Sequence, residues 1–223
     1  AAMIAIDNSI LSSMHACSTQ VALRYILGLA ASEDGGPQRA GSAAHAAWAV
    51  WFRTNGDVPA ALAAFDAEYK VWATEHIDDP EDRLSYENVH AIMTQWFTIH
   101  TPASLPVHVP PSLVEVGFAV PLDGDFVFVG RMDALGQTES GAWQLVEWKT
   151  TGNLDDKFRR THRAAAQITG YTFAAQHHVH APVVGALIGA VEFGKLPNSS
   201  RKCRFHGTTY ADCRLKHAKF EAF

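Results

Sequence analysis

The tripeptide Glu147-Trp148-Lys149 places a carboxylate and an ammonium group two residues apart, directly after the apolar run of residues 143–146. This run predicts a strand, and residues two apart on a strand face the same side, so Glu147 and Lys149 are expected to project together. Such a pair can hold a divalent cation and place a positive charge beside an attacking water. Burying a charged pair costs free energy, so a buried pair here would indicate a function. The alternative is an ordinary salt bridge at the edge of the sheet.

Asp133 supplies a second carboxylate, because it lies late in the apolar run of residues 129–135 on the strand predicted before Glu147. Mg²⁺ and Mn²⁺ are held by one or two carboxylates together with waters and substrate phosphates. A simple hairpin that closes at residues 138–139 pairs Asp133 with Gln144, which leaves the two carboxylates about 10 Å apart at about 3.3 Å per residue. We therefore predict a bulge, a stagger or a strong curl between these two strands.

Composition and charge narrow the class of protein. The chain has 223 residues, of which 48% are hydrophobic and 18% are charged, which suits a folded domain and argues against disorder. No apolar run approaches the roughly 20 residues needed to span a membrane. Residues 1–148 hold 6 Lys/Arg against 18 Asp/Glu, whereas residues 149–223 hold 12 against 5. This asymmetry is typical of a surface that meets a polyanion, unless the charges mix in space.

Hydrophobic periodicity divides the chain into a helical first part, residues 1–104, and a sheet-and-helix part, residues 105–193. The basic segment 194–223 has no clear period. The predicted elements are helices that begin near Asn8, Ala40, Asp57 and Asp79, an antiparallel meander of strands at residues 113–120, 126–135 and 143–151, a helix at 157–178 and a strand at 182–193. The expected fold is a single α/β or α+β domain spanning residues 1–223.

Four short motifs occur in one order along the chain: Gly41-Ser42-Ala43-Ala44-His45, Gly130-Arg131-Met132-Asp133, Val146-Glu147-Trp148-Lys149-Thr150-Thr151-Gly152 and Gln167-Ile168-Thr169-Gly170-Tyr171. With a helix at residues 12–25, this series resembles the RecB-like branch of the PD-(D/E)XK nucleases. That branch includes AddB-type nuclease domains, CRISPR-associated exonucleases and phage exonucleases. The resemblance implies a restriction-endonuclease-like α/β core, a mixed sheet flanked by helices, with a helical N-terminal part.

The resemblance implies a metal-binding role for four of these residues. His45, Asp133 and Glu147 would bind Mg²⁺ or Mn²⁺, and the backbone carbonyl of Trp148 would complete the coordination. Glu115 lies inside the strand predicted at residues 113–120 and is a lesser candidate, which we interpret as a structural or supporting residue.

Three further residues are implied to act on the reaction. Lys149 would orient the attacking water and stabilise charge on the scissile phosphate, while Gln167 and Tyr171 would support the lysine and the substrate. The same predicted helix carries four cations that are expected to contact phosphates beside the cut: Lys157, Arg159, Arg160 and Arg163.

The cysteines give a weaker signal. Cys17 lies where some relatives place the first ligand of an iron–sulfur cluster, but three cysteines are too few for a four-cysteine cluster within this chain. A second metal set at zinc-like spacing is formed by Cys203, His206, Cys213 and His217, with ordinary thiols and surface histidines as the alternative. An odd number of cysteines indicates a reducing compartment, and we expect the cytoplasm.

The sequence therefore predicts a Mg²⁺- or Mn²⁺-dependent DNA nuclease, encoded by a bacterium or a phage, with exonuclease favoured over endonuclease. Its expected tasks are DNA recombination, repair or phage DNA processing. DNA is the expected partner, together with a helicase or a recombination protein, and no membrane is expected. Two alternatives stay open, a nucleic-acid-binding module that keeps the fold without cutting and a zinc-stabilised structural protein. The intact set of Asp133, Glu147 and Lys149 favours the nuclease.

Overall fold

The computed structural model describes residues 3–29, 36–73, 83–163, 165–193 and 220–222. The described part of the chain contains a mixed sheet flanked by helices, as predicted. Its elements, in chain order, are β1 (Ile4–Ile6), α1 (Asn8–Ala16), α2 (Ser18–Val21), a π-helical turn (Ala22–Ile26), α3 (Gly36–Arg53), α4 (Val58–Ala73), α5 (Tyr86–Ile99), β2 (Val114–Pro121), β3 (Phe126–Gln137), β4 (Trp143–Thr151), α6 (Asp156–Arg163), α7 (Ala166–Val179), β5 (Val183–Glu192) and β6 (Phe220–Ala222).

The N-terminal segment, residues 7–26, is broken into short helices instead of the one helix predicted. Asp7 caps α1 by accepting a hydrogen bond from the backbone N–H of Ile10 at 2.7 Å. Cys17 then adopts extended backbone, and the chain continues through α2 into the π-helical turn. None of the residues described between 8 and 26 is buried, so this segment is held without a core of its own.

Helix α3 buries one face and leaves the other for the site. Its buried positions recur at helical spacing (Ala40, Ala43, Ala44, Ala47, Trp48 and Trp51), and they pack against α4 and α5. Helix α5 begins at Tyr86, where the Ser85 hydroxyl accepts a hydrogen bond from the N–H of Asn88 at 3.4 Å. The start predicted near Asp79 lies outside the described residues.

The sheet has the strand order β1-β3-β4-β5-β6, and β2 pairs with the other edge of β3. Strands β2, β3 and β4 form the predicted antiparallel meander, while β5 runs parallel to β4. β1 pairs with the beginning of β3, at Phe126, and β4 pairs with its end, from Ala134 to Gln137. Among the described strands, one edge of β3 is therefore unpaired between these two partners, at residues 129–133.

The register of β3 and β4 differs from the predicted hairpin. The last pair is Ala134 with Val146, and Gln144 pairs with Gly136, so Asp133 lies next to Glu147 and not opposite Gln144. The reason is a longer turn: the N–H of Thr138 donates to the carbonyl of Ala142 at 3.0 Å, and the two strands extend to Gln137 and Trp143. The predicted bulge, stagger or strong curl is absent from the paired residues of β3 and β4; the strands diverge beyond the Ala134–Val146 pair, and both carboxylates enter the gap between them.

An irregularity is present on the other side of β3, at Glu115. Residues two apart on a regular strand share a face, yet Val114 packs into the core of α3–α5 while Val116 packs into the core under α7. Their partners on β3 differ in the same way: Ala134 packs into the core of α3–α5 and Met132 into the core under α7. Glu115 has a φ of 56°, a left-handed conformation that is rare for a residue other than glycine and costs free energy.

The helix predicted at residues 157–178 is two helices, α6 and α7, with Ala165 in extended backbone at the N-cap of α7. α7 packs on the sheet, where Ala174 and Ala175 are fully buried. On the opposite face of the sheet, the indole of Trp148 stacks on Trp48 with ring centroids 5.1 Å apart. In the described part of the chain, no helix is both long and apolar enough to cross a membrane.

Candidate active site

The site begins where β3 and β4 diverge beyond the Ala134–Val146 pair. In the absence of further strand pairing, side chains bond to the backbone of the opposite strand. The Oδ2 atom of Asp133 accepts a hydrogen bond from the N–H of Trp148 at 2.7 Å, and Oε1 of Glu147 lies 3.4 Å from the N–H of Asp133. These crossed contacts orient both carboxylates in the gap between the strands.

Lys149 and Glu147 form an ion pair in this gap, as their spacing predicted. The Nζ atom of Lys149 lies 2.8 Å from Oε2 of Glu147, whose side chain is fully buried. Burial raises the pKa of Glu147 to about 7, and the charge of Asp133 acts in the same direction. Burial alone would lower the pKa of Lys149, but the charges of Glu147 and Asp133 outweigh it and raise the pKa. The pair is therefore not a surface salt bridge.

His45 reaches the same site from α3. Its Nδ1 atom lies 3.2 Å from Oδ1 of Asp133. Burial acts to lower the pKa of His45, but the hydrogen bond and the charge of Asp133 raise it above the ordinary value. Burial likewise acts to raise the pKa of Asp133, and the contact with His45 turns the net shift downward. Asp133 is thus held ionised between an imidazole on one side and a backbone N–H on the other.

Glu115 completes a cluster that the sequence analysis underrated. One ligand atom from each of His45, Glu115 and Asp133 can be chosen so that all lie within 4.8 Å of one another. Burial raises the pKa of Glu115, and the nearby guanidinium of Arg131 opposes that shift. The available signal was a lone acid in an apolar strand, but its proximity to His45 depends on the irregular backbone between β2 and β3.

Gln167 and Tyr171 lie one helical turn apart on α7 and line the same space as Asp133 and Lys149. The Tyr171 ring contacts Phe118 edge to face, with centroids 5.4 Å apart. Gly130 lies against both rings, and a Cβ atom there would lie 2.6 Å from Phe118. The glycine of this motif therefore lets α7 approach the sheet closely.

These side chains lie on the floor and walls of one cleft of about 1400 Å³. Its floor is formed by β2, β3 and β4. One wall is the N-terminal segment, a second is the polar face of α3, and α7 closes a third side. Glu147 is buried behind Lys149 and is absent from the lining.

Comparison with protein families decides the identity of the fold. A model described as the PD-(D/E)XK nuclease superfamily matches residues 8–219, nearly the whole chain. The chain belongs to this superfamily. A search of curated proteins found no match to the sequence.

Membership implies a nuclease that uses divalent metal ions and acts on DNA. The residues present fit such an ion: carboxylate oxygens suit hard divalent cations, and an imidazole completes a mixed donor set. Trp148, whose carbonyl was implied as a ligand, directs its indole into the core on the other face of β4.

The predicted phosphate-binding residues of α6 lie away from the cleft lining. Arg159 pairs with Asp156 one turn earlier, and no residue of α6 lines the cleft in the described structure. Burial lowers the pKa of His162, and the nearby ammonium charge of Lys149 lowers it further. The contacts assigned to Lys157, Arg159, Arg160 and Arg163 stay a prediction.

The cysteine signals are resolved only in part. Cys17 is exposed at the junction of α1 and α2, and hydrogen bonds from the backbone of Gln20 and Thr19 lower the pKa of its thiol. The predicted second metal set lies outside the described residues: Cys203, His206, Cys213 and His217.

Proposed function

We propose that this protein is a Mg²⁺- or Mn²⁺-dependent deoxyribonuclease of the RecB-like branch that degrades DNA from an end. The observation that carries the proposal is the convergence of His45, Glu115 and Asp133 within 4.8 Å, beside the buried Glu147–Lys149 pair. Three carboxyl groups, one imidazole and one lysine amine thus gather at one point beside the cleft. Burying them costs free energy that a bound cation would offset.

The metal-binding side chains are assigned as His45, Asp133 and Glu147, with Glu115 as a fourth. A divalent ion held there would polarise the scissile phosphate and lower the pKa of an attacking water. Oxygen ligands suit Mg²⁺ and Mn²⁺ equally, whereas the imidazole adds affinity for the transition ion, which favours Mn²⁺.

Lys149 is assigned to the water and to the phosphate. In hydrolysis the water oxygen forms a new bond to phosphorus and the bond from phosphorus to the leaving oxygen breaks. One proton ends on the leaving oxygen, and the other stays on the new phosphate oxygen or passes to solvent. The ammonium group, held 2.8 Å from Glu147, can orient the water and offset the extra negative charge on the phosphate oxygens. Gln167 and Tyr171 line the cleft beside it and are assigned to position the lysine and the substrate.

The action on DNA ends is supported by the RecB-like motifs. The N-terminal segment and α3 line the cleft beside Asp133, where they can guide the end of a strand. A helicase or recombination partner that supplies ends belongs to this proposal, as does a cytoplasmic enzyme of bacterial or phage origin, which the RecB-like motifs suggest.

The test compares end-labelled linear DNA with covalently closed circular DNA of the same sequence, in Mg²⁺, Mn²⁺, Ca²⁺ or EDTA. We expect the linear label to be released as short products in Mg²⁺ and Mn²⁺ only, while the circle stays closed. Nicking of the circle would contradict the exonuclease assignment. Equal stability of both substrates in every metal, with the protein folded, would contradict the nuclease itself.

A further inference from the structure

The basic residues of the acidic part of the chain are concentrated in the cleft. Residues 1–148 contain six Lys/Arg, and four of them line it: Arg24, Arg39, Arg53 and Arg131. The other two lie outside the cleft, where Lys70 pairs with Asp66 at 3.9 Å and Arg83 donates to the carbonyl of Phe193 at 3.2 Å. Within the cleft, Arg131 pairs with Glu115, and Arg53 donates to the carbonyl of Val114 at 3.1 Å. Four acids line the same cleft (Asp7, Glu68, Glu115 and Asp133), so the cleft combines a centre for a cation with arginines that suit an anionic occupant.

Helix α1 faces this space with its polar side. Asn8, Ser9, Ser12 and Ser13 line the cleft at helical spacing, whereas Leu11 and Met14 of the same helix are exposed to solvent. A helix that packs on a core shows the reverse arrangement. Both amide atoms of Asn8 are shielded from solvent and have no hydrogen-bond partner among the described residues, so they are available to a polar group that enters the cleft.

The π-helical turn adds a planar surface to the same wall. The guanidinium of Arg24 lies over the ring of Tyr25, 5.6 Å from its centroid, and both residues line the cleft. π-helical turns occur frequently at functional sites. A nucleobase can extend such a stack when its face is free, which requires an unpaired strand and not a duplex.

We propose that the N-terminal segment is a binding wall for single-stranded DNA, in which Tyr25 stacks on a base and Arg24 contacts the phosphate backbone. The hydroxyl and amide groups of α1 would supply further hydrogen bonds to phosphates. This inference rests on the proposed function, because it names the form of DNA that the metal cluster receives.

The test measures the binding of a short fluorescent oligothymidylate and of a blunt hairpin duplex by anisotropy in Ca²⁺, so that cleavage is not needed. We expect Tyr25→Ala to weaken single-strand binding by about 5- to 150-fold, as for a lost base stack, and to leave duplex binding unchanged. Tyr25→Phe should restore the affinity. Tyr25→Leu, which keeps apolar volume, should lose it at an unchanged Tm, and this variant separates stacking from folding.

Matched controls remove similar groups outside the cleft. Phe173→Ala deletes an exposed ring on α7, and Lys70→Ala deletes a cation of the same acidic region. Arg24→Ala should lower the slope of log affinity against log salt by about 0.7 on single strands, while Lys70→Ala leaves it unchanged.

Equal losses on single strand and duplex, or no loss in Tyr25→Ala and Tyr25→Leu, would overturn the inference. The proposed function is tested in a separate assay, the cleavage of linear DNA by the wild-type protein in Mg²⁺ or Mn²⁺. A wild-type protein that binds oligothymidylate through Tyr25 but never cuts would overturn the nuclease and leave the binding wall intact.

Discussion

The floor and the N-terminal wall of the cleft hold their polar groups in opposite ways. On the floor, Asp133 accepts a hydrogen bond from the N–H of Trp148 and Glu147 pairs with Lys149, inside a sheet packed on both sides. On the wall, none of the residues described between 8 and 26 is buried. Chemistry needs groups held to a fraction of an ångström, whereas a substrate must enter and leave. This difference supports our proposals that the reaction takes place on the floor and that the wall binds the DNA strand.

The largest effect is expected from the floor carboxylates. Glu147→Gln and Asp133→Asn should each abolish cleavage, because both acids are assigned to the metal ion, and should weaken Mn²⁺ binding measured by calorimetry. DNA binding in Ca²⁺ or without metal should survive, since it is assigned to other surfaces. Asp125→Asn, an exposed acid in the turn between β2 and β3, is the matched control. Near-normal activity of either variant in Mg²⁺ would remove that acid from the site.

Lys149→Ala should lower the single-turnover cleavage rate by about 10²–10³-fold, the typical loss when one group that stabilises transition-state charge is removed. Mn²⁺ affinity should be retained, because lysine is assigned to the water and the phosphate. Lys157→Ala removes the same charge from α6 and should leave the chemical step unchanged. An unaltered rate in Lys149→Ala would place the charge stabilisation elsewhere.

Glu115→Gln tests whether Glu115 binds the metal ion in addition to the ligands that the family resemblance implies. We expect Mn²⁺ affinity to fall by at least about 10- to 100-fold, because losing a residue that only supports a metal ligand already has an effect of this size. Arg131→Gln is the control, because it removes the ion pair of Glu115 and keeps the carboxylate. Unchanged Mn²⁺ binding in Glu115→Gln would return this acid to a purely structural role.

The buried carboxyl of Glu147 predicts a pH dependence of stability for the metal-free protein. Its pKa is raised from the ordinary 4.5 to about 7 in the folded state, so folding favours the protonated form. This contribution is fully present below about pH 4.5 and is lost as the pH rises through about 7. In EDTA, the Tm of the wild type should therefore fall relative to that of Glu147→Gln over this interval. Parallel Tm curves would show that Glu147 titrates normally.

The smallest effect concerns the basic helix α6. If Arg160 and Arg163 contact phosphates beside the cut, their joint replacement by alanine should weaken binding to all duplex sequences alike. The slope of log affinity against log salt should fall by about 0.9 per lost contact. A lower Tm with an unchanged slope would instead mean that these arginines hold the domain together. That result would leave the cleft arginines as the main phosphate contacts.

The sequence alone determined what depends on neighbours along the chain. Alternation placed Glu147 and Lys149 on one side of β4, helical spacing placed Gln167 and Tyr171 on one side of α7, and the motif order predicted the superfamily that the family model confirms. Local periodicity suffices for such features because each follows from the geometry of a single element.

The tertiary structure decided how separate elements meet. The turn at residues 138–142 set the register that brings Asp133 next to Glu147, and the left-handed backbone of Glu115 brought a third acid to His45. Folding also gathered Arg24, Arg39, Arg53 and Arg131 from distant positions into the cleft, although the sequence showed its basic residues mainly in the last third. Register, backbone inversion and the convergence of remote charges depend on loop closure and on packing between layers, which no local pattern encodes.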